Sequence, residues 1–445
     1  MNASTLHTEA DAAAPASSFA ARVSRAKAIA AITLGNGLEF FDFTVYSFFA
    51  TTIGTLFFPV HGALNQLLLA VGSFGVGFIV RPIGGVMIGA FADRAGRKAA
   101  MTLTLWLMAL GSALIAFAPT YAQIGLAAPA LIVFARLVQG FAVGGEVGAS
   151  TAMLLEYADD RSRGFYGSWQ FVSQGLNTVC GALLGVALST ALSPAALQSW
   201  GWRVPFVIGM LVVPVGVYIR RHLNETLEHV EPVDADTTVA VAARPVREIF
   251  ARHRTALVAG VLTTIGGTAA NYIVLFYMST YAIKILGLPM SVGMGAALVA
   301  ALVTAVCSPF AGMLSDRFGR KRVLGYSRAL LIAVIYPAFM LIHSVPTVPA
   351  VLGVVAVLGA IVAFTAVPNI VMLPELFPQS MRVTGMSMVY CVGVSIFGGF
   401  AQFFATWLIQ LFGNPLAPAW YLIGCGAVSL IALPLIREPA GRPLD

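Results

Sequence analysis

The sequence predicts an all-α polytopic membrane protein, twelve transmembrane helices in two six-helix bundles. Three observations carry the prediction: a composition too apolar for a water-soluble surface, twelve apolar stretches long enough to cross a bilayer, and charged landmarks that recur half a chain later. Hydrophobic residues make up 58% of the 445 residues and charged residues 10%, whereas an average soluble domain is about 25% charged. Too few charged side chains are present to cover a soluble surface of this size. The formal net charge of +7 comes without a basic stripe or an aromatic-basic motif, so nucleic acid is not expected as a partner. Basic loops on the cytoplasmic face of a membrane account for it. Cys180, Cys307, Cys391 and Cys425 lie in apolar stretches at no regular spacing and read as small core residues, with no disulfide and no metal site.

Residues 1–25 are rich in Ala, Ser and acid and carry no apolar run, which reads as a disordered cytoplasmic tail with no cleavable signal peptide ahead of the first span. Stretches of roughly 17 to 29 apolar residues follow, the length that a hydrocarbon core of about 30 Å requires. The first six are Ala28–Ala50, Gln66–Phe91, Met101–Phe117, Leu126–Met153, Gly164–Leu192 and Trp202–Ile219. The second six are Ala256–Ile283, Val292–Leu314, Val323–Ile342, Val351–Leu373, Val383–Leu411 and Ala419–Ile436.

Basic residues orient these spans. Connections Thr51–Asn65, Ala118–Gly125, 343–350 and 412–418 contain no Lys or Arg, and on that side Arg203 and Lys284 are the exceptions. The other side carries Arg22, Arg25, Lys27, Arg94, Arg97, Lys98, Arg161, Arg163, Arg220, Arg221, Arg317, Arg320, Lys321, Arg322, Arg382 and Arg437. The positive-inside rule places both termini in the cytoplasm.

The segment His222–Arg254 clusters Glu, Asp, Thr and Ala and then Arg, without apolar period, and reads as a cytoplasmic linker. On either side of it the chain repeats. GAFADRAGRK (Gly89–Lys98) and GMLSDRFGRK (Gly312–Lys321) lie 223 residues apart, and Glu156 with Arg163 recurs as Glu375 with Arg382 at an offset of 219. Two independent landmarks at nearly one offset indicate a duplicated six-span unit. The expected organisation is a tail at 1–25, an N-terminal six-helix bundle at 26–222, a linker at 223–254, a C-terminal six-helix bundle at 255–437 and a cytoplasmic tail at 438–445. Parallel six-span repeats place a substrate site at the midplane between the halves.

The D-R-x-G-R-K turn after spans two and eight resembles the signature loop of the major facilitator superfamily, and Arg136, Gln139 and Gly140 resemble its R-x-x-Q-G motif. GNGLEFFDFTVY (Gly35–Tyr46), RPIGG (Arg81–Gly85), GWRVPF (Gly201–Phe206) and ELFPQSMRVTG (Glu375–Gly385) resemble the metabolite:H+ symporter family over residues 28–437. Members carry organic acids such as citrate, tricarballylate, 2-oxoglutarate and shikimate, or zwitterions such as proline and betaine. SIFGGFAQFFATWLIQLFGN (Ser395–Asn414) and GFYGSWQ (Gly164–Gln170) look most like the citrate and tricarballylate members. The resemblance implies a proton-coupled importer of a small organic acid, with citrate or a related tricarboxylate as the expected substrate. It also implies that Asp93, Arg94, Arg97, Lys98, Asp316, Arg317, Arg320 and Lys321 form a cytoplasmic latch between halves. Glu156, Arg163, Glu375 and Arg382 are expected to serve the same switch.

Ionisable side chains inside spans cost a few kcal/mol each and therefore mark function. At about 1.5 Å per residue, Glu39 lies about 16 Å and Asp42 about 21 Å from the cytoplasmic face, Arg81 about 15 Å and Arg136 about 22 Å. Matching depths pair Glu39 with Arg81 and Asp42 with Arg136. Glu146 shares a face with Arg136 and Gln139. A carboxylate beside a guanidinium stays ionised; when a substrate anion takes the guanidinium, burial favours the neutral acid and a proton binds. Asp42, Glu39, Arg136 and Glu146 are thus the proton-coupling candidates, with static ion pairing as the alternative. Arg81 is the candidate anion clamp, since its planar fork fits a carboxylate; Gly77, Gly84 and Gly85 around it equally fit close helix packing. Gln170, Gln174 and Asn177 form a polar stripe on span five. In the second half Asn271, Tyr272, Tyr277, Tyr281, Asn369, Tyr390 and Gln402 are the cavity candidates, Tyr281 doubling as an interfacial anchor. No His lies deep in a span.

No G-x-x-x-x-G-K-[ST] loop is present, which excludes ATP-driven transport of the P-loop kind, and no nucleophile–base or metal constellation points to an enzyme. The alternatives to organic-acid import are symport of a zwitterion or shikimate, and a drug or metabolite antiporter; the Gly-Pro-rich fifth-span motif of such antiporters is absent. No cofactor is expected, the proton gradient being the driving force. The expected partners are an anionic carboxylate substrate, protons and membrane lipid, around a monomer in the bacterial inner membrane.

Overall fold

The computed structural model describes residues 29, 33, 40–95, 97–144, 151, 154–155, 158–210, 248–378, 382–438 and 440–441, without the side chains of 86, 89–90, 92–101 and 383. Every secondary-structure element among them is a helix or a turn. The expected tail at 1–25, most of the linker at 223–254, Glu39, Glu146 and Glu156 lie outside the described residues, as do the side chains of Asp93, Arg94, Arg97 and Lys98.

Helices occupy the described part of each predicted span; most of 28–39, 145–153 and 211–219, within predicted spans one, four and six, lies outside the described residues. Span one is a bent pair, Phe40–Phe48 and Ala50–Phe57, meeting at 68°. Span two is Ala63–Ile79 continued by Arg81–Ala95; span three is Arg97–Ala116; span four is Ala127–Val143; span five is Arg163–Ala191. Span six is described over 204–210. Spans seven to twelve are Arg254–Lys284, Met290–Phe318, Arg320–Ser344, Val348–Glu375, Thr384–Phe412 and Ala417–Leu435. Spans eight and nine overrun their apolar stretches by a few residues, so Asp316 and Arg317 sit in the last turn of span eight and Arg320 opens span nine. Gly319 between them has φ +95°, the left-handed turn that lets two long helices meet at one residue.

The apolar residues sort in two directions. Phe48, Phe74, Phe78, Tyr272, Phe276 and Phe339 belong to one buried cluster that runs across both halves. Trp106, Phe134, Phe310, Met340 and Ile431 point outwards and are exposed, as a lipid-facing surface requires.

Backbone approach is closest where glycines face each other. Spans two and four meet through Gly77, Gly84, Gly140 and Gly144, where an added Cβ would strike the opposing backbone; spans five and eight meet likewise through Gly164 and Gly312. Small residues permit such contact between membrane helices.

Candidate functional site

Span two breaks beside Arg81. Pro82 has no N–H to offer the carbonyl of Phe78 one turn back, and Ser395 of span eleven supplies a donor instead, Oγ to Phe78 O at 2.8 Å. Span eleven is itself wound as a π-turn over Ser395–Gly399, and span seven over Ile273–Tyr277, irregularities that frequently accompany functional sites. Arg81 is thereby held where the halves meet. It lines a narrow cleft with Val143 and Gly144 of the first half and Ser387, Tyr390, Cys391 and Ser395 of the second.

The Arg81 guanidinium lies 3.7 Å from the Phe78 ring centroid and 4.8 Å from that of Phe43, beside the hydroxyl of Tyr272. Among the described residues its Nε and Nη2 have no hydrogen-bond partner. Arg136, fully buried one layer deeper, stacks over Phe43, Tyr46 and Phe74 at 4.4, 4.5 and 5.1 Å. These are attractive cation–π geometries, and in both cases the ring faces leave fork nitrogens unused.

Behind Arg136 runs a polar relay. Arg136 Nη1 donates to Gln139 Oε1 at 2.6 Å; Gln139 Nε2 donates to Ser112 Oγ at 3.1 Å and to Asp42 Oδ2 at 3.4 Å; Ser112 also donates to Asp42 Oδ2. The predicted pairing of Asp42 with Arg136 is therefore relayed through Gln139 rather than direct. Depth along the helices aligned the two charges, but Gln139, one turn from Arg136 on the same face, occupies the space between them. Gly209 of span six packs against Asp42 Oδ1, where a Cβ would collide with the oxygen. Among the described residues that oxygen has no partner.

The other candidates divide. Gln174 and Asn177 are buried on span five with unpartnered amide nitrogens, and Gln170 is buried beside them. Asn271 and Asn369 each keep an unpartnered Oδ1, the Asn369 amide donating weakly to Thr264 at 3.5 Å. Tyr272 packs edge-on against Phe78 at 5.6 Å, joining the halves at the Arg81 cleft, and Tyr390 lines that cleft. Tyr277 instead bonds Thr406 at 3.2 Å, and Tyr281 donates to the Pro415 carbonyl at 3.0 Å, so neither reaches the cleft. Gln402 accepts from Ser47 across the halves at 3.0 Å.

At the basic end of the bundle the second motif copy engages the first half. Asp316 accepts the N–H groups of Gly164 and Phe165 at 2.7 and 2.9 Å, capping span five from the opposite half. Arg320 binds Asp316 at 2.7 Å and Glu375 at 3.2 Å, and Arg163 approaches Glu375 at 3.7 Å while pairing with Asp160. Arg382 donates to the Pro374 carbonyl at 3.2 Å. Arg317 stays exposed over the Phe318 ring.

Sequence reasoning passed over Arg328. It lies inside predicted span nine, fully buried, and among the described residues none of its three guanidinium nitrogens has a hydrogen-bond partner. The signal was an Arg within an apolar run, hidden by Arg320, Lys321 and Arg322 just before it.

Known proteins share both sequence and fold with this chain. It is 35% identical over 411 residues to the citrate-proton symporter of Klebsiella pneumoniae, covering 92% of this chain and 91% of the relative. It is 34% identical over 426 residues to the glycine betaine/proline/ectoine/pipecolic acid transporter OusA of Dickeya dadantii (strain 3937), at 94% and 84% coverage. It is 34% identical over 418 residues to the alpha-ketoglutarate permease of Escherichia coli (strain K12), at 94% and 95%. Among solved structures, a D-xylose-proton symporter superposes with a TM-score of 0.73 at 18% identity, covering 94% of this chain and 99% of its own. Residues 32–305 and 296–444 match the Major Facilitator Superfamily. Helical architecture, repeat and relatives agree: the chain is a membrane transport protein, not an enzyme, and belongs to the Major Facilitator Superfamily.

Proposed function

We propose that this protein is a proton-coupled symporter that imports a small organic acid, citrate or a related tricarboxylate fitting best, by alternating access across the bacterial inner membrane. Bundles at 26–222 and 255–437 move about the cleft, with both termini cytoplasmic and the monomer as the working unit. The observation that carries the reading is the chain Asp42–Ser112–Gln139–Arg136 lying one layer behind Arg81 in the cleft between halves. In it, Arg81 clamps a substrate carboxylate with the fork nitrogens its ring contacts leave free. A substrate anion draws on the positive charge shared by Arg81 and Arg136, so Asp42 loses stabilisation through Gln139 and takes up a proton. Glu39 and Glu146 are further proton-coupling candidates. Asp93, Arg94, Arg97, Asp316, Arg317, Arg320, Glu156, Arg163, Glu375 and Arg382 gate the basic end.

The test is uptake by purified protein in proteoliposomes, with and without an imposed pH gradient, against labelled tricarboxylates, dicarboxylates, shikimate and betaine. Tricarboxylate accumulation that collapses with the gradient is the expected result. A second reading, zwitterion symport, is favoured by the aromatic faces of Phe43, Phe74 and Phe78, which suit a quaternary ammonium, and by the OusA relative. Those faces already hold Arg81 and Arg136, which repel a second cation, so the acid reading is preferred. Betaine winning the panel reverses that preference. For topology, cysteines at positions 62 and 415 are expected to label from outside the cell and one at 235 only after lysis.

A further inference from the structure

We propose that Arg328, Asn369 and the glycine pair Gly266–Gly267 form a carboxylate-binding subsite in the second half, so that the transported acid is held by one guanidinium from each half and carries at least two carboxylates. The proposal rests on the organic-acid reading and narrows it.

Arg328 is the anomaly of the second half. Arg81 and Arg136 are buried too, but both lie on aromatic rings and Arg136 is tied to Gln139. Arg328 is fully buried, and among the described residues no acid, carbonyl or amide hydrogen-bonds its nitrogens. An unpaired cation in a membrane bundle is costly, and an anion present during part of the cycle offsets that cost.

The surroundings suit a carboxylate. Glycine at 266 is required for the guanidinium to fit, because a Cβ there would collide with Nη1. At Gly267 a Cβ would lie 3.2 Å from Arg328 Nη2 and 3.7 Å from Asn369 Nδ2, so fork and amide converge on the same bare backbone. A planar carboxylate accepts two bonds from such a fork in one plane, and the amide supplies a third donor; a monatomic anion leaves part of the fork unused. Span seven links this subsite to the first. It carries Gly266–Gly267 against Arg328 and, five residues on, Tyr272 beside Arg81, about 7.5 Å further along the axis at 1.5 Å per residue. Two cationic groups about one and a half turns apart along one helix suit an acid with separated carboxylates.

The test compares Arg328→Gln and Asn369→Asp with wild type, measuring how a monocarboxylate (isobutyrate), a dicarboxylate (succinate) and a tricarboxylate (tricarballylate) inhibit uptake of labelled citrate or succinate. Wild-type affinity is expected to climb with carboxylate number, and the tricarballylate-to-isobutyrate affinity ratio to fall at least tenfold in Arg328→Gln. Asn369→Asp covers the case in which that variant fails to fold. It sets an acid beside the guanidinium, so the pair occupies the subsite from within; its melting temperature should hold or rise while the ratio falls. Unchanged ratios in the folded variants overturn this proposal and leave the proposed function standing. Uptake that depends on chloride in wild type (chloride against gluconate) but not in Arg328→Gln assigns the site to chloride and also overturns it. Wild-type uptake of betaine but of no polycarboxylate overturns both.

Discussion

The two halves place opposite charges at equivalent junctions. In the first, Asp42 of span one lies against Gly209 of span six, held by Ser112 of span three and near Gln139 of span four. In the second, Arg328 of span nine lies against Gly266 of span seven and Gly426 of span twelve, with Asn369 of span ten alongside. The repeat equates spans one, three, four and six with seven, nine, ten and twelve. Both junctions join equivalent spans and both use glycine to make room for a buried charged side chain, but the acid stands on span one whereas the base stands on span nine, the equivalent of span three. The acid is served from within, by a hydroxyl and an amide, and a proton can neutralise it. The base is not served by any of the described residues, and an Arg does not release its proton at any physiological pH. The first junction therefore suits proton binding and the second anion binding.

The most severe way to break this comparison is Asp42→Asn. The amide keeps size and hydrogen bonding but exchanges no proton, so uphill uptake should be abolished while substrate exchange between equal compartments persists. Both activities are measured in the same vesicles. Accumulation and lumen acidification like wild type would move the coupling role to Glu39 or Glu146. Next comes Glu375→Gln. Glu375 is almost fully buried between Arg320 and Arg163, and breaking a buried pair typically costs 3–5 kcal/mol. The loss should sit near 3 kcal/mol because Asp316 still holds Arg320. A lowered melting temperature, with faster labelling of cysteines at the basic end, is the expected readout; an unchanged melting temperature would make the latch a surface feature.

The helices were legible because apolar runs of membrane length have few alternative readings, and predicted limits such as Gly164–Leu192 meet the observed Arg163–Ala191 within one residue at each end. The repeat also identified Asp316, Arg320 and Glu375, since a motif copied at fixed offset survives as letters. Less legible was everything set by contact between distant segments. Gln139 looked like a motif letter and is the connector of Asp42 to Arg136. Pro82 and Ser395 are 313 positions apart, yet the missing N–H of one is answered by the hydroxyl of the other. The π-turns at Ile273–Tyr277 and Ser395–Gly399 leave no compositional trace, because they shift hydrogen bonds without changing residue type.

A third prediction compares the two clamps. Arg81→Lys keeps the charge and loses the planar fork, so apparent affinity should fall about tenfold to thirtyfold, equivalent to about 1.4–2 kcal/mol, nearly the effect of Arg81→Ala. Near-normal affinity in the Lys variant would make Arg81 a point charge or a packing residue.

The smallest effect sharpens the comparison at the seam between halves. Ser395 Oγ donates to the Phe78 carbonyl that Pro82 cannot serve, alongside the Val80 N–H, and the bond runs from the second half to the first. It exists only while spans two and eleven touch here. Ser395→Ala removes the donor, which a typical hydrogen bond values at about 1 kcal/mol, or roughly a fivefold change in the balance between touching and parted seams. Cys391 lines the same cleft and is a free thiol, so it reports that balance once Cys180, Cys307 and Cys425 are replaced by Ser. Its rate of reaction with a small maleimide should rise several-fold in Ser395→Ala and return towards wild type in Ser395→Thr, which restores a hydroxyl. Equal rates in all three would mean that the carbonyl finds another donor when Ser395 is lost, and that the seam is held by the aromatic contacts of Phe78 with Tyr272 rather than by this bond.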